Sequence, residues 1–207
     1  VPPDRFIPIA EQSGLIVAIG RWMLPEVLRS LKRLQAAGHD QLRMAVNISS
    51  IQLRQPSFLD LVNDSLAEAG VAPELLELEI TESIALEGLD AMVALLDKLR
   101  SQGIRIAIDD FGTGYSSLNY LERLPIDHLK IDRSFVLSLD ASERGARIVR
   151  TIARLGTELN VKTVAEGVEN PDVGQQLRDF GCAAAQGYHY ARPMDEASFL
   201  RWLAERR

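Results

Sequence analysis

A single cysteine, Cys182, stands among 207 residues, so no internal disulfide can form, and the chain suits a reducing compartment. Cys182 lies in an apolar run, where packing is its expected role. Histidine is almost as scarce: His39, His128 and His189 are scattered without ligand spacing. With no His or Cys cluster, zinc and copper have no natural donor set. No apolar run approaches the roughly 20 residues of a membrane-spanning helix, and no signal-peptide pattern opens the chain. Low-complexity segments and linkers are missing too, which predicts one domain. Basic residues are the minority charge, 23 against 29 acidic, for a net charge of −6. That balance excludes a general nucleic-acid-coating surface, although a small phosphate ligand held through metal ions remains compatible with it. The first residue is Val1 rather than Met. The sequence therefore reads as an excerpt of something longer, or as a processed chain.

What is present is a regular alternation. A short helix is expected near Pro3, with Phe6, Ile9 and Ala10 on one face and Gly14 as its stop. A longer one follows through Leu24, Leu28, Leu31 and Leu34. Pro25 inside that pattern marks either a helix start near Trp22 or a kink. Strand-like runs then appear at Met44–Ile48, Leu75–Ile80, Ile104–Asp110, His128–Ile131, Val161–Ala165 and Ala183–Ala185. Helical runs separate them and end the chain at Leu203. Strands alternating with helices over short connections mean a parallel sheet wrapped by helices. Six strands can be counted.

Polar residues gather where the strands end: Asn47, Glu79, Asp109 with Asp110, Asp132, Glu166 and Gln186. One chemical residue per strand end is how a (β/α)8 barrel builds its site, whereas a doubly wound sheet concentrates them at one switch point. A barrel needs eight strands, so the first two are expected to be missing from this chain. Asp109 and Asp110 repel each other unless a cation lies beside them; the plain alternative is a turn with two solvated acids. Oxygen donors alone suit Mg2+ or Mn2+, ions that act on phosphate oxygens. Lys130 amid acids either neutralises phosphate or orients water, or is a structural ion pair. Glu166 could be a ligand or a general base. Glu169 reads as a solvated loop acid, and Gln186 as an amide offered to a base or a phosphate.

DDFGTGYSS at 109–117, followed by LPIDHLKIDRSFV at 124–136, resembles the EAL-domain family of cyclic di-GMP phosphodiesterases. VNISSIQL at 46–53, LEITES at 78–83, VAEGVE at 164–169 and AQGYHYARPM at 185–194 match the same family in order. The resemblance implies a TIM-like (β/α)8 barrel of the EAL type. It also implies two-metal hydrolysis of cyclic di-GMP to linear 5′-pGpG with Mg2+ or Mn2+, in bacterial second-messenger and biofilm signalling. By that resemblance Asn47, Glu79, Asp109 and Asp110 are metal ligands and Asp132 supports the metal site. Lys130 and Glu166 handle the attacking water, and Gln186 faces the nucleotide. Phe111, Gly112, Thr113, Gly114, Tyr115, Ser116 and Ser117 form the loop over the metals. Glu82 steadies that loop, Glu169 belongs to the same coupling network, and the loop is linked to homodimer formation.

The namesake Glu-Ala-Leu strand is absent, with a metal-ligand glutamate and a substrate-binding arginine. This agrees with the independent strand count. The expectation is therefore one N-terminally incomplete EAL domain over 1–207. It would be active in the intact protein and impaired in the chain as written. The other expectations are a cytoplasmic location, compatible with a parent anchored in the inner membrane through other segments, and an upstream sensory or GGDEF-type domain. No nucleic-acid polymer and no membrane contact are expected of the domain itself. The competing reading is an inactive module that binds cyclic di-GMP or docks a partner without turnover.

Overall fold

Helix α1 (Pro3–Gln12) starts at a proline whose missing N–H costs nothing at a helix N-terminus. Gly14, at φ +75°, turns the chain into α2 (Leu15–Ala36). That helix runs through Pro25 without interruption, so the helix start near Trp22 is not found. Its buried stripe is Ile16, Gly20, Leu24, Leu28, Leu31 and Leu34, and this helical spacing makes one apolar face. Strand β1 (Met44–Asn47) leads into the one-turn helix α3 (Ser50–Leu53). A capping box starts α3: the Ser49 N–H donates to Gln52 Oε1 at 2.8 Å, and the Gln52 N–H to Ser49 Oγ at 3.3 Å. Helix α4 (Phe58–Ala69) stops at Gly70 in the left-handed region.

A single 3-10 turn, Pro73–Leu75, precedes β2 (Leu76–Thr81), and α5 (Leu89–Ser101) precedes β3 (Arg105–Phe111). Then come α6 (Leu118–Arg123), β4 (His128–Ile131), α7 (Arg133–Leu137) and α8 (Glu143–Glu158). Strand β5 (Lys162–Ala165), α9 (Pro171–Asp179), β6 (Ala184–Ala185) and α10 (Glu196–Ala204) complete the order. This computed structural model describes residues 1–82, 89–114, 118–139 and 142–206, without the side chains of Asp4, Leu118 and Asn119. Tyr115, Ser116 and Ser117 lie outside the described residues.

The strands follow one another in the sheet in chain order, β1 to β6. The β1–β2, β3–β4, β4–β5 and β5–β6 pairs are parallel, with helical crossovers between strands. Sequential order without reversal is the topology of an α/β barrel of the TIM type, not of a doubly wound sheet. Parallel strands covered on both faces bury consecutive side chains, as Ile106, Ala107 and Ile108 of β3 are buried, whereas β2 alternates Leu76, Leu78 and Ile80 with Glu77 and Glu79.

Two compact units can be distinguished, residues 1–80 with 89–106 and residues 81–82 with 107–206. Leu24, Leu28, Leu31, Leu76, Leu78, Leu96 and Leu99 are buried in the first unit. Ile108, Leu129, Ile131, Val149, Ala165, Val168 and Leu177 are buried in the second. No described helix is long and apolar enough to cross a membrane.

Candidate active site

The second unit brings the acids together through one irregularity. Ile108 pairs with Leu129 and Phe111 with Ile131, so Asp109 and Asp110 together oppose Lys130. Two residues against one is a β-bulge. In a flat strand, consecutive side chains point to opposite faces, and one of the two acids would be turned away. At the bulge, Asp110 takes φ +54°, a left-handed conformation that aspartate tolerates better than most residues. Carboxylate oxygens of Asp109, Asp110 and Glu166 consequently lie within 4.8 Å of one another. Strand β3 therefore continues through the acids to Phe111, rather than ending at them.

Lys130 stands opposite the bulge with its side chain 5% exposed. Its Nζ lies 3.0 Å from Asp109 Oδ1 and 2.7 Å from Glu166 Oε1. Glu166 directly follows β5, and its N–H donates to the Ile131 carbonyl at 3.1 Å. Gln186 directly follows β6; its Nε2 donates to Glu166 Oε1 at 2.6 Å. Three carboxylates against one ammonium leave a formal charge of −2, which a divalent cation neutralises. Burial raises the Asp110 carboxyl above the ordinary carboxylate range, helped by the charges of Asp109 and Asp132, against the pull of Lys130. Burial likewise raises Glu166, against its hydrogen bond and attraction to Lys130.

The loop after the bulge is held from beneath by Glu82, itself 4% exposed. The Gly112 N–H donates to Glu82 Oε2 at 2.8 Å, and the Gly114 N–H reaches the same oxygen at 3.4 Å. Gly112 has φ +99°, and a Cβ there would meet the Phe135 ring at 2.6 Å. Thr113 Oγ1 donates to the Asp110 carbonyl at 2.8 Å and closes the turn. Asp132 follows β4 as the N-cap of α7, accepting from the Ser134 N–H at 3.0 Å and from the Ser134 hydroxyl. Glu169 accepts from Arg133 Nη2 at 2.6 Å. In the first unit, Asn47 and Glu79 are register partners, and the Ile48 N–H donates to the Glu79 carbonyl at 2.8 Å.

The EAL domain family matches this chain over residues 1–193. The chain belongs to the EAL domain family. It is 44% identical over 201 residues to the cyclic di-GMP phosphodiesterase NbdA of Pseudomonas aeruginosa, covering 97% of this chain and 26% of NbdA. It is 43% identical over 204 residues to MucR of the same organism, a bifunctional diguanylate cyclase/cyclic di-GMP phosphodiesterase, covering 99% of this chain and 30% of MucR. The solved c-di-GMP complex of the PaMucR phosphodiesterase superposes with a TM-score of 0.92 at 43% identity, covering 96% of this chain and 81% of that one. The chain thus spans between a quarter and a third of these two curated relatives.

Beside Glu166 and Gln186 this EAL domain opens into a cavity of about 520 Å3, whose wall continues through Arg133, Tyr188, Arg192 and Phe199. The guanidinium of Arg192 sits 4.7 Å from the centre of the Tyr188 ring, and that of Arg133 6.0 Å from it. Sequence reasoning quoted the segments that hold these residues but gave the three no role. The available signal was an aromatic and two cations within loops already rich in functional acids.

Proposed function

We propose that this EAL domain hydrolyses one phosphodiester of cyclic di-GMP to give linear 5′-pGpG, with divalent metal ions. The observation that carries this reading is the buried Asp109–Lys130–Glu166 network, with Asp110 delivered to it by the bulge. The name of NbdA and the c-di-GMP in the PaMucR complex support the choice of substrate.

The oxygen-only, net-negative cluster fits a hard cation. In this reading Asn47, Glu79, Asp109 and Asp110 hold two Mg2+ or Mn2+ ions, with Asp132 in support. The bound ions supply Lewis-acid stabilisation of phosphate charge and lower the pKa of water. Glu166 Oε1 accepts from both Lys130 and Gln186, which orients the carboxylate. Its other oxygen, Oε2, takes the proton of the attacking water. The water oxygen bonds to phosphorus, the P–O3′ bond breaks, and the leaving 3′ oxygen takes a proton from solvent water. Burial makes Glu166 a stronger base than an exposed glutamate. Gln186 stands at the cavity wall, where it can meet the nucleotide as well as Glu166. Glu82 holds the loop at Gly112 and Gly114, and Glu169 couples to it.

We also read residues 1–207 as an N-terminally incomplete part of one EAL domain that works as a homodimer in the cytoplasm, downstream of a sensory or GGDEF-type module. The bifunctional description of MucR supports the last point.

The test is incubation of the purified intact protein, not the 207-residue chain alone, with cyclic di-GMP and Mg2+ or Mn2+, with products separated by chromatography. Linear pGpG is expected with either ion, none in EDTA, and none from Asp109→Ala. Nucleotide binding without any pGpG would overturn the reading in favour of a binding module.

A further inference from the structure

The two arginines on Tyr188 are not equivalent. Arg133 is tied to Glu169 at 2.6 Å. Arg192 is exposed and has no carboxylate partner among the described residues; its guanidinium lies over the face of Tyr188. A free guanidinium held over an aromatic ring, in a chain of net charge −6, is a donor fork aimed at an acceptor. Backbone hydrogen bonds tie down the segment carrying both residues. The Val168 N–H donates to the Gln186 carbonyl at 3.0 Å, the His189 N–H to the Val168 carbonyl at 2.9 Å, and the Ala191 N–H to the Gly187 carbonyl at 3.2 Å.

The surroundings decide which acceptor fits. Glu166 and Glu169 both line the cavity, and their charge opposes a second phosphate there. Tyr188, Pro193, Met194 and Phe199 supply flat and apolar surface. A volume near 520 Å3 falls within the range of about 300–1,000 Å3 typical of small-ligand pockets. Such a wall suits a nucleobase, which stacks on tyrosine and arginine planes. Among the bases, guanine offers O6 and N7 side by side to a guanidinium fork.

We infer that Arg192, stacked on Tyr188, is a specificity-determining residue that donates to O6 and N7 of one guanine of the cyclic dinucleotide. This rests on the reading of cyclic di-GMP as the substrate. Arg192 acts on the base, away from the bonds that change, so its loss falls on KM.

The experiment compares the wild type, Arg192→Ala and Arg192→Lys on cyclic di-GMP and on its analogue with 7-deazaguanine, which lacks N7. Arg192→Ala should raise KM for cyclic di-GMP by about 5- to 150-fold, the discrimination carried by one bidentate arginine–guanine pair, with kcat nearly unchanged. The 7-deaza analogue should raise KM for the wild type but no further for Arg192→Ala. Arg192→Lys should not restore KM, because an ammonium has no planar fork. An unchanged KM in Arg192→Ala, full rescue by lysine, or equal losses on both ligands would overturn the inference. A wild type that makes no pGpG overturns the phosphodiesterase reading by itself. The same comparison is then read by calorimetric binding, and a wild type that binds neither ligand overturns both readings. Unchanged thermal melts of the two variants confirm intact folds.

Discussion

Replacing Lys130 with methionine tests the centre of the site. Its ammonium lies 3.0 Å from Asp109 and 2.7 Å from Glu166 in a nearly dry environment. Methionine fills a similar volume without the charge, so packing is kept while both carboxylates lose their counter-ion. Removing one partner of a buried pair costs about 3–5 kcal/mol, because the remaining charge stays buried. In a chain of this size each kcal/mol moves the melting temperature by about 2–4 °C, so a fall of roughly 6–20 °C is expected. The measurement is calorimetric or circular-dichroism melting in EDTA, which removes any metal ion able to stand in for lysine. A pH series provides the internal control. Glu166 is already raised by burial, and without Lys130 it rises further. A carboxyl raised in the folded state contributes stability below its unfolded value and loses it as pH rises through the folded value. The deficit of Lys130→Met should therefore be full near neutral pH and shrink as the buffer is acidified toward the carboxylate range. A variant that melts with the wild type in EDTA at neutral pH would refute the reasoning, since the network would then be too well solvated to matter.

Three further expectations concern other sites. Gly112→Ala places a Cβ 2.6 Å from Phe135 at φ +99°; we expect a loss of about 1–3 kcal/mol in urea unfolding, partly recovered when Phe135→Leu is added. Asp195 caps α10 through the N–H and hydroxyl of Ser198, which lower its carboxyl below the ordinary range. Its contribution is present above the unfolded value and lost as pH falls through the folded one, so Trp202 fluorescence should report acid loosening of α10, less pH-dependent in Asp195→Asn. Cys182 is half-buried, and burial pushes its thiol up despite a hydrogen bond with Thr163. Alkylation at mildly alkaline pH should be far slower than for a free cysteine until urea is added, and reaction at the free rate would contradict that burial.

The strand–helix alternation was legible because apolar spacing changes period wherever the secondary structure changes, and the six strands fall where those periods lie. Two short helices were not legible. Helix α3 has four residues and no apolar period, and its signal was the Ser49–Gln52 capping box. Helix α7 follows Asp132 directly, and the cap that starts it is the side chain expected to support the metal. Pro25 left a helix start near Trp22 open as one reading, and α2 excludes it by keeping the buried stripe on both sides of the proline.

The sequence by itself determined the order of elements, the parallel sheet, the family and which acids lie toward the C-terminal end of which strand. These are local or statistical properties, written in periodicity, in turn residues and in long motifs. Only the tertiary structure showed how adjacent Asp109 and Asp110 both reach one cluster. An ideal strand would separate them, and the bulge that unites them is set by the register of β3 on β4, from a different part of the chain. The same holds for Gln186 on Glu166 and for Arg192 on Tyr188. Contacts between loops depend on where strands and helices set their ends, and no spacing along the chain records that distance.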